Sequence, residues 1–271
     1  MTTQRHPPRP GARTRRGLLV MAAVLPLCCG GILFARDPST PPPDAWSYAG
    51  ETGPDHWADL SPAFATCREG QSQSPIDIRT VQRIPYEPLH FRYRTQTLEA
   101  VNDGRGVHVL SSAGSTLELR GESFDLTSFH FHSPGETLIN GVAAAAEVHL
   151  VHRSSTGRFA IVAVQIQPGR HSNQTLARIV ERLPLHAGER LSYRQVGINP
   201  LLLLPADQGY YTYTGSLANP PCSEPAAWYI IAQPVGLDPE RIRRLTAAAG
   251  VNNVRPVQPL NGRSIYASLR R

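Results

Sequence analysis

The chain has 271 residues, room for one large β-rich domain or two small ones; 41% are hydrophobic and 18% charged, which excludes a disordered polymer and permits a sizeable core. The formal charge of +6 is local, because residues 1–36 hold Arg5, Arg9, Arg13, Arg15, Arg16 and Arg36 with no Asp or Glu, and the rest of the chain is formally neutral. Lysine is absent and the arginines are scattered rather than gathered with aromatics, which excludes a nucleic-acid partner.

Taken in chain order, residues 1–36 have the form of an export signal: an Arg-rich stretch through Arg16, an apolar run over 17–35, then a Pro-rich spacer over 37–44. The apolar run is also long enough to cross a bilayer, and Leu33 and Ala35 make no clean cleavage site, so a signal peptide and an uncleaved N-terminal membrane anchor both stand. Either form places the remainder outside the cytoplasm, in a periplasmic or extracellular setting. Arg15 and Arg16 loosely resemble a twin-arginine signal, while Cys28 and Cys29 lack the small residues that precede a lipid-modified cysteine. Cys67 and Cys222 are left as an even pair in an oxidising compartment, which predicts a disulfide rather than two buried thiols. Closing so long a loop stabilises by about 4 to 5 kcal/mol on chain-entropy grounds.

From 45 to 271 the sequence reads as short apolar alternations separated by Gly, Pro, Asn and Asp turns, which predicts a mainly β (α+β) single domain. Strands are expected over 90–93, 106–111, 116–120, 123–132, 146–151, 159–167 and 227–232, the last three covered on both faces. Helical spacing of Leu176, Ile179, Val180 and Leu183 predicts a helix over 173–183, and Asp238-Pro239 opens a second over 238–249. No internal repeat or second linker appears.

Two of these strands carry chemistry. Phe129-His130-Phe131-His132 puts two imidazoles on one face of a strand, where they can chelate one ion, and two phenyl rings on the other. Ala146-Glu147-Val148-His149-Leu150-Val151-His152 adds a third: Glu147, His149 and Val151 share a face, with His152 turned away and not a ligand. A carboxylate beside a ligating imidazole can accept its second N–H and fix its tautomer. Three neutral imidazoles with an open fourth position form a catalytic zinc site.

These two segments, together with Gly215-Ser216-Leu217-Ala218-Asn219-Pro220-Pro221-Cys222, closely resemble the α-carbonic anhydrase family in order and spacing. Gln73-Ser74-Pro75-Ile76-Asp77-Ile78 and Asn253-Val254-Arg255-Pro256-Val257-Gln258-Pro259-Leu260 extend the resemblance over nearly all of 45–271. It implies a large, mostly antiparallel sheet of about ten strands, few short helices, a conical cleft ending at Zn2+, and reversible hydration of carbon dioxide to bicarbonate and a proton. It implies His130, His132 and His149 as metal ligands, Glu147 as the partner of His149, and Val151, Ile161, Leu217 and Trp228 as the apolar wall of the substrate pocket. Cys67 and Cys222 match the disulfide of secreted members, and Tyr48 a cleft tyrosine of the proton-transfer network. Inhibitory anions and sulfonamides are the other expected ligands.

The sequence also departs from its family. Ala218 stands where a threonine hydroxyl normally orients the nucleophilic oxygen while donating to a buried glutamate, here Glu136. The expected results are a slowed reaction, weakened inhibitor binding and a carboxylate short of its donor, unless the Asn219 amide compensates. Arg105 occupies the position of the usual proton-shuttle histidine and cannot release a proton near neutral pH; His108 is either a substitute relay or a pocket-lining residue. The alternative to a working enzyme is a zinc-retaining, weakly active or non-catalytic binding module, with a cupin-like metalloprotein more distant because its pattern leaves the C-terminal blocks unexplained.

Overall fold

Alternation of apolar and polar side chains builds strands through most of residues 45–270, the part of the chain that the computed structural model describes. The expected signal or anchor at 1–36 and the spacer at 37–44 lie outside the described residues. Within them, no helix is long and apolar enough to cross a membrane.

The strands are β1 (Asp77–Ile78), β2 (Gln82–Arg83), β3 (His90–Arg92), β4 (Gln96–Asn102), β5 (Val107–Leu110), β6 (Thr116–Leu119), β7 (Glu122–His132), β8 (Leu138–Ile139), β9 (Val142–Ala143), β10 (Ala146–Ser154), β11 (Phe159–Pro168), β12 (Arg190–Ile198), β13 (Tyr210–Gly215), β14 (Ala226–Leu237) and β15 (Tyr266–Ser268). The α-helices are α1 (Trp57–Leu60), α2 (Thr66–Glu69), α3 (Gln174–Val180) and α4 (Pro239–Ala249). Twelve strands form one sheet whose main path runs β12-β4-β5-β7-β10-β11-β14-β13-β15-β2, with β6 also on β7 and β3 on β6. The sheet is mostly antiparallel, as expected, with twelve strands rather than about ten and with two parallel pairs, β11/β14 and β15/β2. A parallel pair needs a long crossover, and α3, β12 and β13 all lie between β11 and β14.

The central strands separate two environments. One face of β7 and β10 sends Phe129, Phe131, Val148 and Leu150 into the main core, against Leu176, Ile179 and Val180 of α3 and Leu245 of α4. Each such side chain contributes roughly 1.5 to 3 kcal/mol through burial, which fixes the register and so the opposite face. Both helices start on side-chain caps: the Asn173 side chain accepts from the Leu176 N–H and that of Asp238 from the Arg241 N–H. As expected, β10 and β11 are buried on both faces for most of their length, whereas β14 alternates in part.

His152 lies on the main-core side with its ring stacked on Tyr93, whose hydroxyl is 2.5 Å from Nε2, and with Nδ1 3.1 Å from the Ala160 carbonyl. Burial pushes this imidazole from 6.5 down to about 4, so the folded chain excludes a proton that the unfolded chain accepts. Its contribution to stability is whole above pH 6.5 and is lost as pH falls towards 4, by up to about 1.4 kcal/mol per pH unit. Urea midpoints measured across that window should fall more steeply for the wild type than for His152→Gln; parallel profiles would refute this.

Candidate metal centre

On the other face of the same strands, cross-strand register gathers the polar groups. His149 stands opposite His130, Glu147 opposite His132, and His108 of β5 opposite His130. Directly opposed residues on one face are in side-chain contact. The imidazole centroids of His130, His132 and His149 are 4.5 to 5.3 Å apart, and one nitrogen from each lies within 4.8 Å of the others. These three residues could hold a metal ion.

The hydrogen bonds around the rings leave the right nitrogens free. His132 Nδ1 donates to the Asn253 carbonyl at 2.7 Å, so Nε2 keeps its lone pair; that atom is buried without a hydrogen-bond partner. His149 Nε2 is 3.2 Å from Glu147 Oε1, a charge contact rather than an aligned hydrogen bond, and a proton held there leaves Nδ1 with the lone pair. Burial, aided by the neighbouring imidazoles, holds His130 and His132 well below the ordinary histidine range and therefore neutral. The orphaned Nε2 of buried His132, gathered with the rings of His130 and His149, makes a donor set suited to a cation of zinc type.

Behind the rings the carboxylates differ. Glu147 accepts from the Thr137 N–H and hydroxyl, both at 2.8 Å. Glu136 Oε1 accepts from the Arg255 N–H at 2.8 Å, but Oε2 is buried without a partner, 3.7 Å from His132 Nε2. Burial, partly offset by the neighbouring charges and the Arg255 N–H, pushes the Glu136 carboxyl up to about 7.

Two cavities open beside the cluster. One, about 210 Å³, has Val151, Ile161, Leu217 and Trp228 as apolar walls, with Ala218 and Asn219 also in its lining. The other, about 220 Å³, includes Tyr48, Arg105 and His108 and shares His108, His130 and Asn219 with the first. Tyr48 packs edge-on to His132, and its hydroxyl is driven well above its usual range by burial. Arg105 lies over the Trp46 ring and bonds to Asp103, which is also 3.6 Å from His108 Nε2. His108 thus faces the cleft.

The loop carrying Ala218 and Asn219 is tied at its end by the Cys67–Cys222 disulfide. The Arg255 guanidinium donates to the Cys67 carbonyl and to Gln73 Oε1, and the Gln73 amide donates to the Cys222 carbonyl. Asn253, Arg255 and Thr137 were not singled out as site residues by sequence reasoning, although the first two belong to the C-terminal block. Their contacts cross roughly 120 residues or depend on a buried carboxylate, and no local periodicity reports either.

A family model described as eukaryotic-type carbonic anhydrase matches residues 52–269. A carbonic anhydrase of Pectobacterium atrosepticum is 37% identical over 220 residues, which is 81% of this chain and 89% of that protein. The solved α-carbonic anhydrase of Photobacterium profundum is 39% identical with a TM-score of 0.77, covering 82% of this chain and 100% of that one. That of Thermovibrio ammonificans, solved with the inhibitor sulfanilamide, is 34% identical with a TM-score of 0.79 over 82% of this chain and 99% of its own.

Proposed function

The chain belongs to the eukaryotic-type (α) carbonic anhydrase family, and from that premise we propose that it hydrates carbon dioxide reversibly at a zinc ion held by His130, His132 and His149, at a rate limited by Ala218. The observation that carries this is the three-imidazole cluster beside an apolar-walled cavity. When bound there, zinc supplies the Lewis acidity that brings the ionisation of a water towards neutral pH.

The chain's own residues do the rest. The Glu147 carboxylate, 3.2 Å from His149 Nε2, favours the proton on that nitrogen and so leaves the other nitrogen of the ring free to ligate. Val151, Ile161, Leu217 and Trp228 offer an apolar gas molecule a surface that competes poorly for water. By the family resemblance Glu136 accepts a hydrogen bond relayed from the nucleophilic oxygen, but Ala218 supplies no hydroxyl for the relay, and the unpartnered Oε2 supports that reading. The Asn219 amide is the nearest substitute in sequence, and its position on both cavities supports that role. Sulfonamide and anion inhibitors should bind this site with reduced affinity for the same reason.

Proton export is assigned to His108, which shares a cavity with Tyr48, since a guanidinium is no relay near neutral pH. Because Ala218 makes hydration the slow step, His108 should matter only when that step is restored. In an Ala218→Thr background, His108→Ala should lower kcat by roughly 10-fold with kcat/KM unchanged, and imidazole buffer should recover it. An unchanged kcat would remove His108 from the path.

The disulfide supports an oxidising location, so residues 45–271 are read as an exported domain, periplasmic or extracellular, behind an N-terminal targeting segment. The unpartnered Glu136 oxygen also favours a second reading, a zinc-retaining binding module with little or no catalysis. Stopped-flow hydration by the purified protein, with zinc measured on the same sample, separates the two. Zinc near one per chain with rates above buffer supports the enzyme; the same zinc without hydration supports the module.

A further inference from the structure

We infer that Thr137 is a positioning residue for the metal centre, holding the Glu147 carboxylate in the plane that lets it fix His149; this rests on the zinc reading above. Thr137 and Glu147 are both fully buried, so neither has water as an alternative partner. Thr137 meets the carboxylate twice: its N–H donates to Oε2 and its hydroxyl to Oε1, each at 2.8 Å. Oε1 is the same oxygen that lies 3.2 Å from His149 Nε2. The pair of donors fixes the carboxylate, and so keeps Oε1 within 3.2 Å of the imidazole.

Thr137 is itself held from the neighbouring strand. Gln165, which stands opposite Glu147 in the β10/β11 register, donates from Nε2 to the Thr137 carbonyl at 3.1 Å. A continuous path thus runs Gln165 to Thr137 to Glu147 to His149, with every member buried. Hydrogen bonds in such surroundings are strengthened, and a group left without its partner is penalised. Without the hydroxyl, Glu147 keeps only the backbone donor, and its Oε1 can turn away from His149. The ring is then free to rotate off the ligating orientation, which speeds loss of the ion.

The test is the rate at which a chromophoric chelator removes zinc from the wild type, Thr137→Val, Thr137→Ser and Val162→Ala. Val is isosteric and deletes only the hydroxyl; Ser keeps it. Val162 is buried in the main core on the far face of the sheet and reports general loosening. Thr137→Val should release zinc about 10-fold faster, in the range for residues that support a ligand, while Thr137→Ser and Val162→Ala stay at the wild-type rate. An unchanged rate in Thr137→Val, or equal acceleration in Val162→Ala, overturns the inference while leaving the zinc site standing. A wild type that holds no zinc overturns the zinc reading and this with it. If Thr137→Val does not fold, Gln165→Met frees the Thr137 carbonyl and loosens the hold on Thr137 while keeping both of its donors to Glu147. It should also speed release, and a wild-type rate there would overturn the inference.

Discussion

Ala218→Thr should raise kcat/KM for carbon dioxide hydration by roughly 30- to 150-fold, equivalent to about 2 to 3 kcal/mol of transition-state stabilisation. Glu136 Oε2 is a buried acceptor with no partner in the wild-type structure. In the family that the sequence resembles, a threonine hydroxyl at this position donates to that glutamate and accepts from the nucleophilic oxygen. It thereby orients the attack and satisfies the carboxylate, a second gain of about 1 to 3 kcal/mol in stability. Ala218 lines the apolar-walled cavity, which gives the larger side chain room without displacing the main core. Ala218→Val separates shape from hydrogen bonding: it matches the size of threonine and should leave the rate low. If Ala218→Thr is no faster than the wild type while Asn219→Ala is slower, then the Asn219 amide already makes the relay. If neither variant changes the rate, the missing hydroxyl does not limit hydration.

The imidazole face was legible in the sequence because period-2 alternation is a strong signal when the opposite face is apolar. Phe129 and Phe131 alternate with His130 and His132, and Val148 and Leu150 with His149; burial of the first set determines where the second points. Helix α4 was equally legible from Asp238-Pro239, since a capping carboxylate before a proline specifies a start locally. Helix α3 proved shorter than the hydrophobic spacing suggested, ending at Val180, because spacing reports the buried side and not where backbone hydrogen bonding stops.

Other elements left weaker traces. Strand β12 carries Arg190, Ser192, Arg194 and Gln195 and lies at the sheet edge, where its pairing with β4 sets its conformation and little burial is demanded of its side chains. Strands β1, β2, β8 and β9 have two residues each, too few for a period to show. Strand β13, Tyr210–Gly215, is rich in Tyr and Thr and had a readable β composition that the apolar-alternation criterion passed over. In the site, the relation of Asn253 to His132 and of Arg255 to Glu136 depends on backbone groups, which every residue type possesses, so composition cannot report them.

Removal of one ligand has the largest expected effect, and His130 is the ligand to remove. Among the described residues its ring makes no side-chain hydrogen bond, whereas His132→Ala would strand the Asn253 carbonyl and His149→Ala would leave the buried Glu147 without its imidazole. His130→Ala therefore alters metal binding with least disturbance to the apo fold. Apparent zinc binding energies of roughly 10 to 16 kcal/mol, shared among about four ligands, put the loss near 3 to 4 kcal/mol, or on the order of 10²- to 10³-fold in affinity. Hydration should fall to the buffer rate at limiting zinc. Zinc should also raise the melting temperature of the wild type far more than that of the variant, because a ligand stabilises in proportion to the logarithm of its concentration over Kd. Retention of zinc near one per chain in His130→Ala would show that the ion is held elsewhere or by a different set. A variant whose metal-free form unfolds much more easily than the metal-free wild type would instead make His130 a structural residue of β7, and the cluster more than a metal site.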